Sequence, residues 1–190
     1  MSPTPEKTDL DFTHVFDGPL VKPTPLAESS KEQKKAVEVG TAKLEKAGYY
    51  VNIVRPASGV APLAPGAKRT ILCIDDDVPL LRILERKLTM DGYVVRTASE
   101  RSAIIAELQR APSPDLILLD VGLPEISGFD VLRKVRKHPK LGNLPVIMLT
   151  GHVAPDDVHQ GMTGGADGYV SKPFQFDTLA VAIKTVLGMQ

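Results

Sequence analysis

Leu116-Ile117-Leu118-Leu119-Asp120 decides the fold of this chain. Four consecutive apolar residues, with Gly122, Pro124 and Gly128 close behind, predict a short strand buried on both faces, as in a parallel sheet. A carboxylate directly after such a strand stands at its carboxyl end, where open α/β sheets place their ligands. Asp120 is therefore a candidate site centre, and its partners must come from neighbouring strand ends.

The same rhythm runs from residue 69 onward. Strands are predicted at Ile71–Ile74, Tyr93–Val95, Leu116–Leu119, Val146–Leu149 and Gly168–Val170. Amphipathic stretches alternate with them at Pro79–Met90, Ser99–Arg110, Gly128–His138, Asp156–Thr163 and Phe176–Leu187. In the first of these, Leu80, Leu81, Leu84 and Leu88 form an apolar stripe, with Arg82, Glu85, Arg86 and Lys87 mostly outside it. Each strand and helix together have the length of one crossover unit. The pattern thus predicts an α/β domain with a (βα)5 doubly wound, five-stranded parallel sheet.

Residues 1–67 read differently. Pro3, Pro5, Pro19, Pro23 and Pro25 punctuate residues 1–27, which reads as a disordered tail. Residues 28–54 read as a helix–strand extension. Ser29 with Glu32, and Ser30 with Gln33, fit a capping box; Val37, Thr41, Leu44 and Ala47 follow at helical spacing, and Gly48 is a stop. Tyr49–Val54 follows as a strand. Residues 55–68, with Pro56, Pro62, Pro65, Gly59 and Gly66, read as a linker. The helix has only a thin apolar stripe, so the extension is expected to dock on the main domain or on a second copy, which leaves room for a homodimer.

Composition excludes several function classes. The chain has 190 residues, 43% of them hydrophobic and 24% charged, which is a globular balance. Lys and Arg total 23 and Asp and Glu total 23. Such a neutral balance does not suit a polyanion, so no direct nucleic-acid binding is expected. Cys73, the single cysteine, lies in an apolar run and reads as a core residue. No signal-peptide core and no apolar run near the ~18 residues of a membrane helix is present, which predicts a cytoplasmic protein without membrane contact.

Asp75, Asp76 and Asp77 follow the first strand and lie on the same sheet edge as Asp120. One of them suits a helix N-cap, but three exceed what a cap needs. Carboxylates ~4 Å apart repel by about 4 kcal/mol per pair at an effective dielectric of ~20, so a cation is required. Oxygen-only donors favour Mg²⁺ over zinc or copper. Thr150-Gly151 and Lys172-Pro173 follow two further strands and add a hydroxyl and a cation to the edge. An acceptor acid, a metal cluster, a hydroxyl and an ammonium are the parts that phosphoryl transfer uses.

At this point the sequence resembles a known family. Ile71–Asp77, Leu118–Gly128, Pro145–Thr150 and Gly164–Phe174 together resemble the receiver domain of two-component response regulators, over roughly residues 69–190. The resemblance implies a flavodoxin-like fold and a phosphorylation-dependent switch. Asp120 would accept a phosphoryl group from a phosphohistidine on a histidine kinase or histidine phosphotransfer protein. Mg²⁺ would be held by Asp75, Asp76, Asp120 and the backbone carbonyl of Gly122. Thr150, Gly151 and Lys172 would contact the phosphoryl oxygens, Thr150 and Tyr169 would report its presence, and Pro173 would follow a cis bond. The protein would be a phosphoacceptor that assists its own phosphorylation and slow self-dephosphorylation, rather than an enzyme with turnover. Gly151 stands where the family often has a slightly larger residue.

Because the chain stops soon after the fifth helix, output is expected through protein–protein contact with no covalent effector domain. Two alternatives compete with this reading. One is a haloacid-dehalogenase-like phosphatase with Asp75 as nucleophile, although Val78-Pro79 fits its motif poorly. The other is a receiver-fold binding module that works without phosphorylation. The basic run Arg133, Lys134, Arg136, Lys137, His138 and Lys140 reads as a solvated face at a helix C-terminus. His14, His138, His152 and His159 lack ligand-like spacing, and His152 reads as a surface loop residue.

Overall fold

The structure, a computed structural model, describes residues 51–53, 64, 66–151 and 164–189. Its elements in chain order are β1 (Val51–Ile53), β2 (Thr70–Ile74), α1 (Val78–Met90), β3 (Val94–Ala98), α2 (Arg101–Gln109) and β4 (Leu116–Asp120). They continue with α3 (Gly128–Lys137), β5 (Val146–Thr150), β6 (Gly168–Ser171) and α4 (Phe176–Val186). The tail at 1–27, the helix at 28–47, the helix at Asp156–Thr163 and His152 fall outside the described residues.

One six-stranded sheet has the order β1-β6-β5-β4-β2-β3. Strands β2 to β6 are mutually parallel, which is the doubly wound arrangement that the sequence predicts. Strand β1 adds a sixth, antiparallel to β6, with Val51 opposite Val170, Asn52 opposite Tyr169 and Ile53 opposite Gly168. The chain leaves β2 toward β3 on one side, then returns to place β4 on the other. That reversal opens a crevice at the carboxyl ends of β2 and β4, between Asp75 and Asp120.

Alternation along the strands fills two cores. Leu72, Ile74, Ile117, Leu119 and Met148 face α2 and α3 with Ile104, Leu108, Val131, Leu132 and Val135. Ile71, Cys73, Leu116, Leu118 and Leu149 face α1 and α4 with Leu84, Leu88, Leu179 and Ile183. Every residue of β4 is buried, so the unbroken apolar run reflects a strand covered on both sides. Asp115 joins the strand starts: its carboxylate accepts from the Thr70 N–H and from Arg69, each at 2.7 Å.

Three strands reach one residue further than apolar runs suggest, taking in Asp120, Thr150 and Ser171. Strand β3 departs more: it runs Val94–Ala98, not Tyr93–Val95. It is the sheet's outer strand and only partly buried, so Arg96 and Thr97 are tolerated inside it. Arg96 lies 3.2 Å from Glu107 of α2. Cys73 is buried as expected, and burial, aided by the charges of Asp75 and Glu85, pushes its thiol up to about 12.

The basic run is not wholly a solvated face. Arg136 turns inward, donating to the carbonyls of Gly165 (2.7 Å) and Leu144 (2.7 Å) and to Asp167 Oδ2 (2.8 Å). Asp167 Oδ2 also accepts from the Val146 N–H at 2.9 Å. One guanidinium thus ties the end of α3 to the starts of β5 and β6. Arg133 pairs with Asp130 one helical turn back.

Candidate functional site

The site is assembled from the ends of β2, β4, β5 and β6. Asp120 closes β4 and is 5% exposed; Asp75 directly follows β2 and is 1% exposed. Lys172 follows β6, and its ammonium donates to Asp75 Oδ2 at 2.6 Å and to Asp120 Oδ1 at 2.7 Å. The second oxygen of each acid is held by backbone. Asp75 Oδ1 accepts from the Asp77 N–H at 3.0 Å, and Asp120 Oδ2 from the Gly122 N–H at 2.7 Å.

The three acids after β2 divide their work. Asp77 is the N-cap of α1, accepting from the Leu80 N–H at 3.0 Å, with Pro79 in the first turn. Asp75 is buried and Asp76 exposed, and both face Asp120. One oxygen from each of Asp75, Asp76 and Asp120 lies within 4.8 Å of the others. Oxygen-only donors this close suit a hard divalent ion such as Mg²⁺. Burial raises the Asp75 carboxyl above its ordinary range, and the Lys172 hydrogen bond only partly offsets this. Burial alone would lower the Lys172 ammonium, but its hydrogen bonds to Asp120 and Asp75, and their charges, hold it above the ordinary lysine value.

Thr150, the buried last residue of β5, accepts the Lys172 N–H on its carbonyl at 2.6 Å. The strand register sets Thr150 opposite Ser171, one step beyond the Asp120–Leu149 pair. The Lys172–Pro173 bond is cis. Tyr169 lies two residues back from the edge, fully buried among the α2 and α3 core residues. Gly151 is exposed, and a Cβ there would meet nothing within 4 Å.

Two glycines support the Asp120 end of β4 in a way that motifs do not announce. At Gly128 a Cβ would stand 2.0 Å from the Asp120 carbonyl oxygen, because the first turn of α3 packs directly against the strand end. A Cβ on Gly122 would lie 3.3 Å from Asp120 Oδ2, so this glycine lets the backbone approach the carboxylate. In the sequence, Gly122 stands out only as a turn residue and for its carbonyl, and Gly128 only as a turn residue and the end of a matched stretch; the close packing at each is set by the turn between β4 and α3, which no sequence pattern measures.

A family model, the response regulator receiver domain, matches residues 71–184. The chain belongs to the response-regulator receiver family. The matched span of this receiver contains Asp75, Asp76, Asp120, Thr150, Tyr169 and Lys172. It is 37% identical over 124 residues to the probable transcriptional regulatory protein TcrX of Mycobacterium tuberculosis, covering 65% of this chain and 52% of that protein. To the transcriptional regulatory protein AfsQ1 of Streptomyces coelicolor it is 42% identical over 118 residues, covering 62% and 51%. The chain therefore spans about half the length of these relatives. Among solved structures, the Vibrio cholerae chemotaxis protein CheY4 superposes with a TM-score of 0.59 at 33% identity, covering 64% of this chain and 100% of that one. A putative response regulator from Chloroflexus aurantiacus gives 0.60 at 33% identity, covering 64% and 99%.

Proposed function

We propose that Asp120 is the phosphoacceptor of this receiver and that a histidine kinase or histidine phosphotransfer protein is the donor. The observation that carries this reading is the Lys172 ammonium, bonded at once to Asp75 and Asp120. A carboxylate oxygen of Asp120 attacks the phosphorus of a phosphohistidine. An O–P bond forms, the N–P bond breaks, and the imidazole leaves with the electron pair. Lys172 stays beside the new acyl phosphate and neutralises charge on its oxygens. Thr150 and the backbone at Gly151 line the side from which β5 meets the group.

Asp75, Asp76 and Asp120, with the Gly122 carbonyl, would hold Mg²⁺, which when bound neutralises charge shared by the carboxylates and the phosphoryl oxygens. The acyl phosphate is lost slowly to water at the same site, so the protein works as a switch and not by turnover. Thr150 and Tyr169 pass the change to the β5–β6 side of the sheet, and output proceeds by protein–protein contact. The phosphatase alternative is not favoured, because the chain belongs to the receiver family over residues 71–184.

Incubation with Mg²⁺ and a small-molecule phosphodonor, followed by intact mass measurement, tests the reading. One phosphoryl group is expected on the wild type and none on Asp120→Asn. Equal addition to both proteins would refute Asp120 as acceptor.

A further inference from the structure

The two outer edges of this sheet are built differently. At one edge, β3 is partly exposed and carries Arg96 at its centre, the kind of charge that discourages pairing with another chain. At the other edge, β6 reads Gly168-Tyr169-Val170-Ser171, with no charge, no proline and all four residues buried. Left open, such an edge is a template for strand addition. It is not open: residues 51–53 pair with it antiparallel, and the same strand runs alongside α4.

We propose that residues 51–53 are a displaceable cover that keeps the receiver monomeric, and that the β6 edges of two copies pair once the cover is lifted. Reach allows the cover to close within one chain. From β1 to β2 the sheet is crossed in four steps, roughly 19 Å at the usual strand spacing. Residues 54–69 extend to roughly 55 Å, so they span that distance with slack. A tether of this kind holds the strand at an effective concentration of order millimolar, ahead of a second copy at micromolar concentration.

The cover is also weakly held. It makes three register pairs, and each backbone hydrogen bond contributes a net ~0.5–1.5 kcal/mol. Two antiparallel β6 strands related by a twofold axis form a closed, self-complementary contact, which makes a second copy the competitor for this edge. The proposal stands on strand register and edge composition, whatever the phosphorylation state of Asp120.

The test uses the full chain without phosphodonor, as wild type and as Val51→Pro/Asn52→Pro. Adjacent strand amides point to opposite sides, so the double substitution removes at least one amide directed at β6. Hydrogen exchange is followed at β6, with β4 as internal reference, in a dilute sample where the copies stay apart, and mass is followed separately by sedimentation velocity over rising micromolar concentration. In the variant, β6 amides should exchange about tenfold faster or more while β4 is unchanged, and the species should move from monomer toward dimer. Equal β6 protection in the two proteins would overturn the cover. Faster β6 exchange in a variant that stays monomeric would overturn its control of association, as would a wild type already dimeric.

Discussion

Lys172 joins two carboxylates that would otherwise face each other uncompensated, and its protonation sets the pH limits of the site. Its folded-state value lies above the ordinary 10.5. The pairing therefore contributes stability that is complete below pH 10.5 and fades as pH climbs through the raised value. Asp75 acts with opposite weight: burial holds its carboxyl above 3.8, so its ionisation as pH rises past that value weakens the fold. Melting temperatures measured from about pH 9 to 12 should fall for the wild type, and Lys172→Met should lessen that fall without abolishing it, because the buried Cys73 thiol contributes over the same window. Gly151→Ala should change stability by no more than ~0.5 kcal/mol by denaturant titration, since its Cβ meets open space. Asp75 and Asp120 were legible in the sequence because each directly follows an apolar run, Asp76 because it adjoins Asp75, and Lys172 because it stands just past the short strand that ends at Ser171. Arg136 was not, because a cation near a helix C-terminus has a sufficient local explanation, and its partners lie up to 31 residues away.

At the scale of elements, α3 is held at both ends by contacts that local patterns do not announce. Its first residue, Gly128, sits against the backbone of Asp120. Gly128→Ala should destabilise by at least the ~1–3 kcal/mol typical of overpacking, because backbone, not a pliable side chain, must yield. Phosphoryl uptake should fall with it; a variant with wild-type stability and uptake would count against that contact. At the other end, Arg136→Met takes the guanidinium away from Asp167 and from the carbonyls of Gly142, Leu144 and Gly165, and should cost about 3–5 kcal/mol in denaturant titration. Strand and helix identities were readable because the β2, β4 and β5 runs are buried on both faces and α1 carries a clean apolar stripe. Strand β3 was read short because Arg96 and Thr97 interrupt its apolar pattern; the strand accommodates Arg96 through its pairing with Glu107 of α2.

For the whole molecule, the acid cluster stores repulsion that a divalent ion relieves. Mg²⁺ at ten times its dissociation constant should stabilise the chain by about 1.4 kcal/mol, read as a rise in melting temperature. Asp76→Asn should raise the metal-free melting temperature and shrink that Mg²⁺ response, because one of the three converging carboxylates is gone. The parallel sheet follows from alternating strands and helices. The place of β1 does not, because nothing in Val51-Asn52-Ile53 encodes which distant edge it joins. Cys73 offers a view of the same energetics from inside. Its thiol, pushed up to about 12 and buried in β2 between β3 and β4, should resist alkylating reagents while the sheet is closed. Alkylation must wait for that sheet to open, so the reaction rate becomes a clock for opening. Mg²⁺ should slow the clock, and with no other thiol in the chain it needs no engineered label.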